Sequence, residues 1–245
     1  RGVLDFLKPF HKQTVLVAES TGRRYEDKSG TFNHFQLYKY PPIEKEYNAK
    51  LYDLNTRPAK TEWLISDTGH PLDIRIIDSF YDPNNYVISL CMLKTHNSVV
   101  ATISAKNITM GAPINDDIRH EKKRIHTAGL KGFNFNLFML AQRIPPALTV
   151  VDGLEGMEGN GPTTGTPVDH KVALASTDFI AADRIGCQLM GVDFGDVGYL
   201  TYCANAGLGQ GDLSKISIIG GDPQKHVLRY KLHERVDEMI KGWQM

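Results

Sequence analysis

The segment DGLEGMEGNGPTTG, residues 152 to 165, combines five glycines with three acidic side chains directly after the apolar run ALTVV. Glycines permit positive φ and close backbone approach, and successive N–H groups in such turns can bind an anion. Asp152, Glu155 and Glu158 repel anions unless a cation neutralises them, and Mg²⁺ or Mn²⁺ prefers oxygen ligands. The segment therefore predicts a ligand-binding loop with a divalent metal on these carboxylates. A surface loop with solvated acids is the alternative.

A second group of polar side chains follows the apolar run YVISLCML, at 86 to 93. Lys94 and His96 come first, and Lys106 and Asn107 follow a short apolar stretch. Lysine binds carboxylate or phosphate, and histidine transfers protons near neutral pH. These residues predict an anion site with a proton-transfer group, whereas ordinary surface lysines and a hydrogen-bonded histidine are the alternative.

Further candidates stand beside helical patterns. His126, in RIHTAGLKG, precedes a glycine-marked turn and is a second proton-transfer candidate, whereas His120 is expected on the exposed side of a charged helix. Asp178 opens the pattern TDFIAADRIGCQLMG, where a helix cap alone would explain it. Asp183 lies among apolar neighbours of the same helix, and a partner such as Arg184 or a backbone amide would explain it equally well.

Apolar periodicity predicts the elements that must position these side chains. The predicted strands are TVLVA (14–18), LDIRIID (72–78), YVISLCML (86–93), ALTVV (147–151), KVALA (171–175) and KISII (215–219). The predicted helices are DDIRHEKKRI (116–125), FNFNLFMLAQRI (133–144), TDFIAADRIGCQLMG (177–191) and RVDEMIKGW (235–243).

Strands separated by helices indicate a single α/β domain over residues 1–245, with a mostly parallel, doubly wound, Rossmann-like sheet flanked by helices. Residues 20 to 62 read as an irregular excursion over that sheet. In an open parallel sheet, the loops that follow the strands lie along one edge, where ligands bind. We therefore expect the segments that begin at Lys94, Asp152 and Ser176 to meet at a common strand-exit rim.

The composition excludes several classes of protein. Lys plus Arg and Asp plus Glu both number 28, so the formal charge is zero and no overall field attracts nucleic acid. No run approaches the ~18 apolar residues of a membrane helix, so we expect a soluble protein without a membrane span. A cytoplasmic location is favoured, with export the alternative if an N-terminal signal was removed. Cys91, Cys187 and Cys203 lack metal-site spacing and are expected as reduced core thiols.

Four ordered segments carry a family resemblance: LKTH (93–96), SAKNITMG (104–111), VVDGLEGMEGNGPTTGTP (150–167) and ALASTDFIAADRIGCQLMG (173–191). In these motifs the chain resembles the prokaryotic family catalogued as domain of unknown function 362. The resemblance implies an α/β domain that is often joined to a ferredoxin-like 4Fe–4S module, without an agreed reaction. Three cysteines cannot hold such a cluster, so no iron–sulfur cluster is expected within this chain, and a ferredoxin-like module is expected only as a partner. The family's repeated polar positions add Asn160 to the candidates.

The residues and the resemblance together predict an enzyme or redox accessory that binds a small anionic ligand at the strand-exit rim, through a divalent metal. A non-catalytic ligand-binding module, or one that docks an iron–sulfur partner, is the alternative. Lys94, His96 and His126 are the expected catalytic groups. The expected ligand contacts are Lys106, Asn107, Gly159, Asn160, Gly161, Thr163, Asp178 and Asp183.

Overall fold

A computed structural model describes residues 1–21 and 30–244 as a mixture of helices and strands. The strands are β1 (Val15–Glu19), β2 (Ala49–Asp53), β3 (Ala59–Ile65), β4 (Pro71–Ile77), β5 (Ile88–His96), β6 (Val100–Thr102), β7 (Leu148–Glu158) and β8 (Thr166–Ser176). The α-helices are α1 (Gly2–Leu7), α2 (Gly30–Leu37), α3 (Pro42–Glu46), α4 (Ser104–Gly111), α5 (Glu121–His126), α6 (Gly129–Arg143), α7 (Phe179–Leu189), α8 (Gly198–Asn205) and α9 (Val236–Gln244).

The strands form three sheets, in which parallel and antiparallel pairs both occur. β1 pairs with β2 in parallel, and β3 pairs with β4 antiparallel. The largest sheet has the order β6-β5-β7-β8; only its central pair, β5 with β7, is parallel. The prediction of a mostly parallel sheet is therefore wrong for the described residues. β7 and β8 are antiparallel because the chain returns from β7 to β8 through the short loop 159–165, and short connections join antiparallel neighbours.

The glycine-rich segment is mostly strand. β7 continues to Glu158, so the prediction of a loop from residue 152 is wrong up to that point. A Cβ on Gly153 would lie 2.7 Å from Val172 Cγ2, and one on Gly156 would lie 2.0 Å from the Tyr230 hydroxyl. These glycines let neighbouring groups pack against the strand, and only residues 159–165 form the loop that their composition predicts.

One face of the large sheet carries the core. Leu93 and Val151 alternate with exposed neighbours and pack in one cluster with Phe133 of α6 and Ile180 of α7. On the opposite face Leu90 is 53% exposed. Among the described residues, the sheet is therefore not covered on both faces as a doubly wound arrangement requires.

Two other segments differ from their sequence patterns. KISII forms no strand: residues Leu213–Lys215 make a 3₁₀ turn, and Ile219 is 98% exposed. The helix predicted from 116 begins only at Glu121, because the Asp116 carboxylate accepts the backbone N–H groups of Ile118 and Arg119 in a turn.

The excursion predicted over residues 20 to 62 contains regular structure, since β2 pairs with β1 and is followed by β3; its residues 22–29 lie outside the described part. The three cysteines are buried and free, as predicted. Within residues 1–21 and 30–244, no helix combines the length and apolar character needed to cross a bilayer.

Candidate functional site

A cationic pocket of about 410 Å³ lies beside the carboxyl-terminal end of β5. Its lining comprises Lys94, His96, Thr102, Lys106, Met110, His120, Lys122, Lys123, His126 and Pro162. No carboxylate of the described residues is among them. The lining therefore combines four lysines with three histidines and is suited to a negatively charged ligand.

Five elements bring these side chains together. β5 ends with Lys94 and His96, and β6 ends with Thr102. α4 contributes Lys106 and Met110, α5 with the residue before it contributes His120, Lys122, Lys123 and His126, and the β7–β8 loop contributes Pro162. The sequence prediction that polar residues after β5 belong to a site is consistent with this geometry, but most of the remaining lining comes from helices.

Asp183 fixes the helix that carries Lys106. Its fully buried carboxylate accepts the backbone N–H groups of Ser104, at 2.8 Å, and Ala105, at 2.9 Å, in the first turn of α4. Burial raises the pKa of Asp183 to about 7, although both hydrogen bonds act in the opposite direction. Of the two explanations open at the sequence level, the backbone amide is the one observed. Asp183 positions α4 and does not line the pocket.

Lys106 is buried without a counter-charge. The residue is 6% exposed, and its ammonium makes no hydrogen bond or ion pair with any described residue. Its Nζ lies 5.6 Å from the centre of the Phe133 ring. Burial, with further contributions from the charges of Lys94 and Lys122, lowers the pKa of Lys106 to about 7. The amine is therefore poised between its charged and neutral forms at neutral pH.

Lys122 occupies the side of the pocket that faces β1. Its Nζ donates to the carbonyl of Ser20 and, at 2.8 Å, to the Ser20 hydroxyl. The Ser20 hydroxyl donates in turn to Asn55, whose side-chain oxygen also accepts the backbone N–H of Asn115. Burial lowers the pKa of Lys122 to about 8. This chain of buried polar groups orients Lys122 and leaves it easier to deprotonate than a surface lysine.

Two histidines present opposite hydrogen-bonding character. His96 Nδ1 accepts the backbone N–H of Ser98 at 3.0 Å, so neutral His96 carries its proton on Nε2. His126 Nδ1 lies 2.6 Å from the Lys122 carbonyl and must donate to it, which leaves Nε2 with a lone pair. Desolvation is the largest cause that lowers both pKa values, that of His126 to about 4 although this residue is partly open to solvent, so both rings are neutral at pH 7. The pair thus offers one donor and one acceptor.

Thr102 adds a polar group at the inner wall. It is 6% exposed, and its hydroxyl has no hydrogen-bond partner among the described residues. A buried hydroxyl without a partner is uncommon and costs stability. In this lining it is a further group that a polar ligand would satisfy.

An ion-pair network anchors the helix that carries Lys122, Lys123 and His126. The fully buried Glu121 carboxylate accepts from Arg75 at 2.7 Å, from Arg119 at 2.6 Å and from Arg124 at 2.9 Å. Asp73 and Asp116 pair with the same arginines. Three positive and three negative groups therefore join α5 to β4 and fix its position beside the pocket.

The loop of residues 159–165 makes a close contact with the end of β5, beside the pocket. A Cβ on Gly161 would lie 2.2 Å from the Thr95 carbonyl oxygen, so only glycine fits between the loop and the end of β5. The Thr95 hydroxyl also donates to the Gly159 carbonyl at 2.9 Å. These contacts place the next residue, Pro162, in the lining.

We expect Gly161→Ala to destabilise the protein by about 2–4 kcal/mol, because the added methyl group collides with backbone that cannot move aside. Gly159→Ala is the matched control: it has open space but φ of +76°, so only backbone strain of ~1 kcal/mol applies. Urea unfolding of both variants measures the difference. Equal losses would contradict the contact with Thr95.

Several predicted ligand contacts have other roles. The Asn107 amide donates to Ser89 and Leu90 of β5, and it does not line the pocket. Asp178 caps α7 by accepting two backbone N–H groups, as its alternative interpretation stated. Asn160 pairs with Glu234, and Thr163 is exposed on the loop.

The predicted rim is only partly formed. Ser176 pairs with Thr149 near the start of β7, because β8 runs antiparallel, so it lies at the end of the sheet remote from the pocket. The three predicted metal ligands are also separated. Asp152 and Glu158 are six residues apart on one strand, which places them roughly 20 Å from each other.

Across residues 1–21 and 30–244, no group of three or more His, Cys, Asp or Glu side chains is arranged to hold a metal ion. Asp152 instead accepts the backbone N–H of Leu154, and Glu158 accepts that of Lys231. Asp152, Glu155 and Glu158 are therefore not brought together as three ligands of one metal ion.

Six of the ten lining residues were not predicted from the sequence. Lys122 and Lys123 read as part of a charged, solvated helix, and His120 was expected to be exposed, although it lines the pocket. The i, i+4 spacing of Lys122 and His126 places them on one helix face and is the signal that could have indicated a site.

Comparisons with known proteins identify a relative and a family for this chain. A curated relative, the thylakoid-associated protein sll1697 of Synechocystis sp. (strain ATCC 27184 / PCC 6803 / Kazusa), is 31% identical over 199 residues. The alignment covers 79% of this chain, which spans about half (48%) of the relative's length. No solved structure matches the chain significantly. The family model described as "Domain of unknown function (DUF362)" matches residues 1–188, and the chain belongs to this family.

Proposed function

We propose that the protein binds a small anionic ligand in the cationic pocket and acts on it by proton transfer. The observation that carries this proposal is Lys106, a buried ammonium without a partner in a lining that holds no carboxylate among the described residues. Such a charge is costly to bury unless an anion neutralises it. A carboxylate or phosphate group supplies that neutralisation.

In this proposal the lysines of the lining bind the anion and the histidines exchange hydrogen bonds and protons with it. Lys94, which is half-buried and whose pKa is lowered by burial, binds the anion together with Lys106 and Lys122. His96 donates from Nε2 to a ligand oxygen, whereas His126 Nε2 accepts a proton. Because the rings differ in which nitrogen is protonated, His96 can donate a hydrogen bond to the ligand while His126 accepts a proton from it, without a change of tautomer beforehand.

The first test is anion binding by the full chain. Titration calorimetry with oxalate and with inorganic phosphate should give binding at one site. Lys94→Ala should weaken that binding by at least ~10-fold, because a charge-assisted contact contributes about 1.5–3 kcal/mol to the binding free energy. Lys241→Ala, which removes an exposed lysine of α9, is the control and should leave the affinity unchanged.

The affinity should also fall as pH rises from 6 to 9. Lys106 and Lys122, with pKa values of about 7 and about 8, lose their charge across this interval. Oxalate keeps its charge throughout, so its affinity isolates the protein's titration. Binding that is absent, or that Lys94→Ala leaves intact, would reject the proposal. Binding without turnover of any tested ligand would assign a non-catalytic ligand-binding module.

A further inference from the structure

We propose that Lys106 forms a covalent imine with the carbonyl carbon of a small anionic oxo compound held in this pocket. The proposal rests on the proposed anion site and goes beyond it, because it names the ligand's reactive group and the bond that forms. The ligand class is a carbonyl compound that also carries a carboxylate or a phosphate, such as a 2-oxo acid or a phosphorylated ketone.

The environment of Lys106 favours a neutral, nucleophilic amine. Its ammonium has no acceptor in the described structure, and only the face of Phe133, 5.6 Å from Nζ, offsets its charge there. Lys106 is the third residue of α4, so the positive end of the helix dipole also opposes its charge. Two further lysines, Lys94 and Lys122, are close enough to lower its pKa. A desolvated lysine beside other cations is a known way to activate an amine for attack on a carbonyl.

The two histidines are placed for the hydrogen bond and the proton transfers that imine formation needs. Phe133 is a common neighbour: its ring centre lies 4.3 Å from that of His126, 6.5 Å from that of His96 and 5.6 Å from Lys106 Nζ. The His96 and His126 rings are themselves stacked with centroids 6.3 Å apart. An amine, a donor and an acceptor therefore surround one aromatic ring at the wall of the pocket.

The step balances without an oxidant or reductant. The Lys106 nitrogen lone pair forms a bond to the carbonyl carbon, and the carbonyl π electrons move to oxygen, to which His96 Nε2–H donates a hydrogen bond. His126 Nε2 takes one proton from the nitrogen and gives it to that oxygen, so a neutral carbinolamine results. The nitrogen lone pair then forms the C=N bond and expels the hydroxyl group. This group takes the remaining nitrogen proton through His126 and leaves as water.

The remaining lysines explain why the carbonyl compound must be anionic. Lys94 is half-buried and makes no ion pair with a described residue, and Lys123 is exposed at the same lining. Either one can bind a carboxylate or phosphate while the neutral amine of Lys106 attacks the neighbouring carbonyl. A neutral ketone lacks this second point of attachment and should react more slowly.

The test is reductive trapping on the full chain. Pyruvate and dihydroxyacetone phosphate are incubated separately with the protein and cyanoborohydride, and the adduct is located by peptide mass mapping. We expect one adduct, on Lys106, to form at least ~10-fold faster than with acetone, the neutral control. Its rate should rise with pH through about 7 as Lys106 becomes neutral, opposite to the fall in oxalate affinity. Lys106→Met should abolish the adduct, and Lys241→Met should not.

The outcomes separate the two proposals. If oxalate binds but pyruvate and the phosphate ester leave Lys106 unmodified, the imine is rejected while the anion site stands. Adducts on Lys94, or scattered over exposed lysines at the acetone rate, also reject the assignment to Lys106. If neither oxalate binding nor trapping occurs, both proposals fail. Mapping of the unmutated chain keeps the test decisive even if Lys106→Met folds poorly.

Discussion

Glu121→Gln should destabilise the protein by about 3–5 kcal/mol, the cost of removing one partner from a buried ion pair. The carboxylate is fully buried and accepts from three arginines, Arg75, Arg119 and Arg124. Glutamine keeps the volume of the side chain but turns an N–H₂ group towards a guanidinium. Loss of one negative charge also leaves a net positive charge on the network, whose arginine side chains are 24–31% exposed. Urea unfolding measures the change.

Glu238→Gln is the matched control, because Glu238 pairs with Arg235 at 2.7 Å on the exposed side of α9. An exposed ion pair of this kind contributes about 0.2–1 kcal/mol to the free energy of unfolding, so its removal should be barely detectable. The Glu121 variant should bind oxalate more weakly as well, because α5 carries Lys122, Lys123 and His126. Equal stability of the two variants would show that the buried network does not hold α5 in place.

Lys106→Met should raise stability, and the gain should depend on pH. The pKa of Lys106 falls from its usual 10.5 to about 7 on folding, so the folded chain binds fewer protons than the unfolded chain between these values. The free energy of unfolding of the parent therefore rises with pH across this interval, and the cost of the buried ammonium is fully present below pH 7. A pKa shift of this size lowers the free energy of unfolding by roughly 5 kcal/mol below pH 7.

Methionine removes that cost, so the variant should be more stable than the parent at pH 6. The difference in unfolding free energy between the variant and the parent should narrow by about 2–3 kcal/mol from pH 6 to pH 9. At pH 9 the Lys106 amine of the folded parent is already neutral. Asp183 and Lys122 titrate in both proteins and largely cancel in the difference. Lys241→Met, at an exposed position, should show no such dependence. A variant that is less stable than the parent by the same amount at both pH values would indicate that the ammonium has a strong partner.

The strands with clear apolar patterns were predictable from sequence. β1 and β4 lie within one residue of their predicted positions and β5 within three, since runs of β-branched and apolar residues favour strands. Pairing direction was not predictable in this way. The β7–β8 hairpin was missed because Gly153 and Gly156 suggest a flexible loop, whereas they are glycine to leave space for Val172 and Tyr230. Neither neighbour is close in sequence to the glycine it packs against.

The candidate site was also only partly predictable from the sequence. Lys94, His96, Lys106 and His126 were singled out from the sequence, and all four line the pocket. Lys122 was missed because its role depends on burial against Ser20, a contact between residues 102 positions apart. Asp178 and Asp183 read as candidate ligands because an acid that binds a backbone N–H cannot be told from one that binds a ligand by sequence alone.

The polar chain from Ser20 through Asn55 and Asn115 to Lys122 has a consequence for the order of assembly. It joins positions separated by 35 and 60 residues before closing back on Ser20 across 102. Contacts this distant in sequence form late, since each must first overcome the entropy of closing a long loop. One wall of the pocket is thus completed only after the first half of the chain has folded. A ligand at 100 times its Kd would stabilise the folded chain by about 2.7 kcal/mol relative to partly folded chains, and so lower their population about 100-fold. Its concentration would then help to determine how long the protein survives proteolysis.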